Sequence, residues 1–145
     1  MYKNHLKLQD IHIGDWVQEC SKITGRPSIP MYVSAIFKDG TIYLDFNGNE
    51  GDVWETDIEK IFPITIDKDI LHGFGFEFDF DVENFKLKVD DSYIYADGFQ
   101  YGIEKWLVQF REEVRIAPIC TYIHELQHAY YNYARKPLIL NWNGI

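Results

Sequence analysis

Met31-Tyr32-Val33-Ser34-Ala35-Ile36-Phe37-Lys38-Asp39-Gly40-Thr41-Ile42-Tyr43-Leu44-Asp45-Phe46 is the stretch on which the fold turns. Met31 to Phe37 is rich in the β-branched and aromatic residues that suit a pleated surface, so it reads as extended. Asp39-Gly40 supplies a tight hairpin turn, because glycine accepts the positive φ such turns need. Thr41 to Phe46 then returns. Strand side chains alternate between faces, so Ile42, Leu44 and Phe46 share one face and Thr41, Tyr43 and Asp45 the other.

The same pattern extends to both sides. Gly14-Asp15-Trp16-Val17 opens a strand after a turn. Arg26-Pro27-Ser28-Ile29-Pro30 is a loop, since its prolines cannot donate to a central ladder. Asn47 to Gly51 makes the next turn, Asp52 to Glu55 a short strand, and Ile58 to Ile64 a last one. Five short strands joined by tight turns predict an SH3-like or Tudor-like barrel over residues 1–64.

Residues 65–145 read differently. Thr65 to His72 predicts one or two helical turns, with acids near the start and Gly73 as the stop. Phe74 to Phe80 alternates, placing Phe74, Phe76, Phe78 and Phe80 opposite Glu77, Asp79 and Asp81. Phe85 to Val89, Ser92 to Ala96, Lys105 to Phe110 and the shorter Glu113 to Ile116 follow as strands. From about Pro118 to Lys136 the pattern is helical, and Pro137 ends it. The expected class is α+β, mostly β: a small barrel, then an antiparallel meander packed on one C-terminal amphipathic helix.

The 145 residues carry a net charge of −9, from 23 acids against 14 bases. Nucleic-acid binding draws its affinity from Lys and Arg on phosphates, so a nucleic-acid partner is disfavoured; the acidic excess reads first as simple solubility, and it would also suit a basic partner or imitate DNA. Two cysteines a hundred positions apart, Cys20 and Cys120, read as free thiols in a reducing compartment. The first residues lack an apolar signal core, and no segment approaches the roughly 20 apolar residues of a membrane helix. A cytoplasmic location is therefore expected.

His124-Glu125-Leu126-Gln127-His128 matches the zincin pattern, in which histidines four apart on a helix hold one zinc and the Glu activates a water. Catalytic zinc wants a third protein ligand, but Ala129 to Ile145 contains no His, Asp, Glu or Cys, which leaves upstream residues such as His72 or Asp97. At 100° per residue Ile119, Tyr122, Ile123, Leu126, Tyr130, Tyr133 and Ala134 share one arc. His124 and His128 fall on its polar flank with Arg135 between them, so both are expected to face solvent. The chain also offers only one long helix, where a zincin has a second helix and a cleft.

Four features taken together, the Gly14-Asp15-Trp16-Val17 start, the Asp39-Gly40 hairpin, the Pro63-Ile64 step and the Tyr122 to Gln127 helix, resemble a group of small proteins encoded by gut bacteria and their phages or mobile elements. That group's helix commonly reads His-Glu-Leu-Gln or His-Gln-Leu-Gln before an aromatic pair. The resemblance implies that His128 completes a zincin-like string by chance. It supplies no catalytic activity, and it suits an accessory protein directed at a host system; no cofactor is expected.

Four further constellations stand beside the motif. Cys120, His124 and His128 recur every four residues and would line one helix flank, as a Cys-His nucleophile or a metal row does. Glu77, Asp79, Asp81 and Glu83 would bind a divalent cation if gathered, but along a strand they lie about 7 Å apart and read as a solvated face. Trp16, Tyr32, Tyr43 and Trp54 would frame an aromatic groove on the barrel. The surplus of Tyr130, Tyr131, Tyr133 and Trp142 marks Tyr131 and Trp142 as candidates for a partner or self-association surface through the helix and tail. The expected function is a non-enzymatic binding or regulatory protein acting through protein contacts. The alternatives are a nucleic-acid-associated barrel adaptor and a small zinc hydrolase using His124, Glu125 and His128.

Overall fold

A computed structural model describes residues 6–20, 23, 25–90, 92–98, 106–110 and 119–140. The chain is α+β and mostly β, with two antiparallel five-stranded sheets and a C-terminal helix. It divides after Ile64 into two compact units.

The first sheet comprises β1 (Trp16–Glu19), β2 (Met31–Ile36), β3 (Thr41–Asp45), β4 (Trp54–Asp57) and β5 (Ile61–Pro63), in the order β4-β3-β2-β1-β5. The Asp39-Gly40 turn forms between β2 and β3, with Gly40 at φ 100°. Asp39 Oδ1 accepts the Thr41 N–H at 2.9 Å, and that bond holds its carboxyl below the usual range. The alternation also holds: Ile42 and Leu44 are fully buried while Thr41 and Tyr43 are half-buried. They join Leu6, Val17, Met31, Val33 and Ile61 in one apolar core. Asp45 is the exception on the outer face. It is buried because its carboxylate accepts the N–H groups of Phe46 and Gly51 and so closes the loop before β4.

This sheet is curled. In a flat sheet β1 and β4 would lie about 14 Å apart, three strand spacings. Instead the Thr56 hydroxyl and the Trp54 indole N–H, both on β4, donate to Glu19 Oε2 on β1. Only a sheet rolled towards a barrel brings those side chains together. A 3₁₀ turn, Ile58–Lys60, interrupts the single strand expected from Ile58 to Ile64, because Asp57 turns back to accept the Glu59 N–H. With this strand order, the turn just before β5 completes a small, barrel-like sheet.

The second unit opens with α1 (Lys68–Gly73), capped by Asp67, whose Oδ1 accepts the Ile70 N–H at 2.9 Å. Its sheet comprises β6 (Glu77–Asp79), β7 (Asn84–Val89), β8 (Ser92–Asp97), β9 (Trp106–Phe110) and β10 (Ile119–Cys120), paired in the order β10-β9-β8-β7-β6. The strand expected from Phe74 to Phe80 is much shorter. Phe74 caps α1, Gly75 takes φ 101°, and Phe80 sits in the turn after β6, 83% exposed. The Phe74, Phe76, Phe78, Phe80 face is therefore broken at its last ring.

The C-terminal helix, α2 (Ile123–Ala134), starts five residues later than the expected 118. Ile119–Cys120 pairs with β9, Thr65 bridges Tyr122, and the Ile66 N–H donates to the Thr121 carbonyl. Extended partners thus claim residues 119–122 before the helix can. Arg135 ends α2 in the left-handed conformation, φ 59°, ahead of Pro137. Among the described residues no helix is long and apolar enough to cross a membrane. Trp142 and the strand expected at Glu113 to Ile116 lie outside the described residues.

Candidate functional site

The His124 to His128 string is a helix start. Glu125 Oε1 accepts the N–H groups of Thr121 at 2.9 Å and Tyr122 at 3.0 Å. These are donors that a helix N-terminus leaves without intrahelical partners, and a Glu three residues in reaches back to them. The residue that would activate a zinc-bound water thus holds the first turn of α2 instead.

His124 overturns an expectation. It is 1% exposed, not solvent-facing, and the buried positions of α2 are Ile123, His124, Leu126, Gln127 and Tyr130. The packed arc is therefore turned towards His124, because Ile119 and Tyr122, counted into it from the sequence, precede the helix. Arg135, placed between the histidines in projection, is the left-handed cap and not on the helix surface. The His124 ring stacks 6.0 Å from Tyr122 with 16° between planes, and meets His128 edge-on at 5.6 Å. His128 itself is half-buried. Of the upstream candidates, His72 lies on α1 with its ring against Phe85 at 5.4 Å, and Asp97 ends β8. Among the described residues no three His, Cys, Asp or Glu side chains gather as a metal would need.

The Cys120, His124, His128 row does not form along one helix, because Cys120 belongs to β10. Its thiol is buried, and burial first and the Glu125 charge second push it up to about 12. A nucleophilic cysteine needs the opposite shift. The acidic row is likewise dispersed by the turn after β6. Asp79 pairs with Lys86 at 3.0 Å across β6 and β7, and that hydrogen bond is the main reason its carboxyl lies low. The Lys86 ammonium also lies 4.7 Å over the Tyr93 ring.

By register Trp16, Tyr32 and Tyr43 share one face of the first sheet, and Trp54 is set apart on the other. Trp16 is buried and meets Tyr32 edge-on at 5.5 Å. Burial, then the charges of Asp45 and Glu50, push the Tyr32 phenol up. Tyr43 packs on Phe37 at 5.0 Å. Tyr43 pairs with Glu55 and Leu44 with Trp54, so Tyr43 and Trp54 stand on opposite faces of the sheet. On α2, Tyr131 is 50% exposed.

Trp54 is the ring left open, 56% exposed at the start of an edge strand. Its indole N–H points to Glu19 Oε2 at 3.4 Å, and Thr56 bonds the same oxygen. Glu19 is in turn tied to the loop after β1, since its N–H donates to the Ser28 hydroxyl and its carbonyl accepts the Ser28 N–H. Around Trp54 the chain runs Asp45, Glu50, Asp52, Glu55, Asp57 and Glu59 without a Lys or Arg. The site thus combines an oriented, more than half-exposed indole with a carboxylate at its rim. Sequence reasoning reached Trp54 but missed Glu19. The two stand 35 residues apart, and only the curl of the sheet joins them.

Comparison of the chain with protein-family models, curated proteins and solved structures finds no match.

Proposed function

We propose that the protein is a non-enzymatic binding protein that acts through protein–protein contacts, with the Trp54–Glu19 edge of its first unit as the contact surface. One observation carries this reading: a tryptophan more than half exposed, held in orientation by a carboxylate from a strand distant in the sheet. Large apolar rings are costly to leave in water, and Trp is among the residues most enriched where partners dock. The roles of the motif residues support the same reading, because Glu125 caps α2, Cys120 is a buried high-pKa thiol and His124 is core. A cytoplasmic setting suits the free thiols Cys20 and Cys120. A regulatory role towards a host system is what the resemblance to the phage and mobile-element group implies.

The test is capture from lysate of a native host strain by immobilised wild-type chain and by Trp54→Ala, with bound proteins identified by mass spectrometry. The expected result is a partner retained by the wild type and lost in the variant. Failure of the wild type to retain any protein that the variant loses would sink the proposal.

A further inference from the structure

We propose that the Trp54–Glu19 edge takes an arginine side chain from a basic segment of the partner. This rests on the binding role above and adds what is bound.

The indole N–H to carboxylate bond puts Glu19 at the rim of the Trp54 ring, and at 56% exposure the residue leaves room for a ligand to reach a face of the ring. A cation lying over that face is attracted by the ring's negative quadrupole. If it also reaches the rim, it meets a carboxylate already oriented by two donors, the Trp54 N–H and the Thr56 hydroxyl. Both of those donors fall on Oε2. A guanidinium is flat, so it can stack on the ring and still direct its N–H fork at the rim. A lysine ammonium is compact and strongly hydrated and satisfies one of these contacts at a time. The geometry therefore selects arginine.

Charge points the same way. The six acids from Asp45 to Glu59, in a chain of net charge −9, set a field that draws a basic segment in and repels phosphates and acidic peptides. Exposed Val53 beside Trp54, and exposed Ile29 next to the Ser28 that anchors Glu19, supply apolar contacts for the stem and neighbours of such an arginine.

The experiment uses the full chain and a fluorescently labelled short peptide alternating Arg and Ala, read by anisotropy, with an alternating Lys and Ala peptide as comparison. The Arg peptide should bind, and the Lys peptide several-fold more weakly. Trp54→Ala should weaken the Arg peptide at least about tenfold, and Glu19→Gln, which keeps an acceptor for Trp54 and Thr56 but removes the charge, several-fold. Trp54→Phe keeps a ring and should fall between wild type and Trp54→Ala. Thermal melts of each variant separate lost binding from lost folding. In a proton–nitrogen spectrum the indole N–H signal that Trp54→Phe removes should shift on titration. Equal binding of the Arg and Lys peptides, an unmoved indole signal, or binding that survives Trp54→Ala would overturn the assignment. So would a Trp54-dependent self-association of the chain, because the occupant would then be a second copy. If a Trp54-dependent partner is captured but the Arg peptide leaves the indole unmoved, the arginine assignment fails and the binding role stands. If the peptide binds as expected and no partner depends on Trp54, the opposite holds.

Discussion

A histidine on a helix flank is cheap to replace when it faces water and expensive when it fills core volume. His124 is 1% exposed, whereas His128 is half-buried. His124→Ala should therefore lower stability by about 2–4 kcal/mol, the usual range for large-to-small core changes, and His128→Ala by less than about 1 kcal/mol. Urea unfolding of both variants measures this, and equal losses would refute the packing assignment. Cys120 makes a second prediction. Its thiol is raised from 9.0 to about 12 in the folded chain, so the folded state holds its proton where the unfolded state releases it. That contribution to stability is complete below pH 9 and is lost as pH climbs from there to about 12. Iodoacetamide on the native protein should accordingly label half-buried Cys20 and spare Cys120 until the chain is unfolded, as peptide mass spectrometry would show.

Both helices depend on carboxylates at their first turn. Glu125→Ala removes the acceptor for two N–H groups and should cost about 0.5–2 kcal/mol, with Glu125→Gln costing less because an acceptor remains. Asp67→Ala should cost about 1 kcal/mol through α1. Denaturant midpoints check both, and an unchanged midpoint for Glu125→Ala would reopen the question of what that carboxylate does. The elements were mostly legible from pattern. The Asp39-Gly40 hairpin, α1 and the central strands of the second sheet follow from turn residues and alternation, which act within a few residues. The errors share a cause. Residues 119–122 carry a helical pattern yet pair as extended chain, because β9 and the segment at Thr65 and Ile66 compete for them. Phe80 continues an alternation that the turn after β6 cuts short.

Each unit closes on a contact distant in sequence. In the second, the Trp106 indole N–H donates to the Ile66 carbonyl at 3.3 Å in a buried setting, which ties β9 to the segment that opens the unit. Trp106→Phe keeps most of the ring but strands that carbonyl, and should cost about 1–3 kcal/mol. Guanidinium unfolding would measure the loss, and a neutral result would mean that the segment is held by its backbone bonds alone. In the first, Glu19 joins β1 to β4 and converts a sheet into a curled one, and the same contact sets Trp54 at the edge.

Local chemistry was enough for the class of the fold: glycine and aspartate place turns, and alternation assigns faces. The zincin-like string shows its spacing in the sequence, but what its side chains touch was out of reach there. Burial of His124, the capping role of Glu125 and the meeting of Glu19 with Trp54 all depend on which distant segments share space. A helical wheel or a strand pattern describes a segment against an assumed neighbour. In this chain the neighbours, β9 and Thr65 beside α2, and β1 beside β4, come from the packed fold.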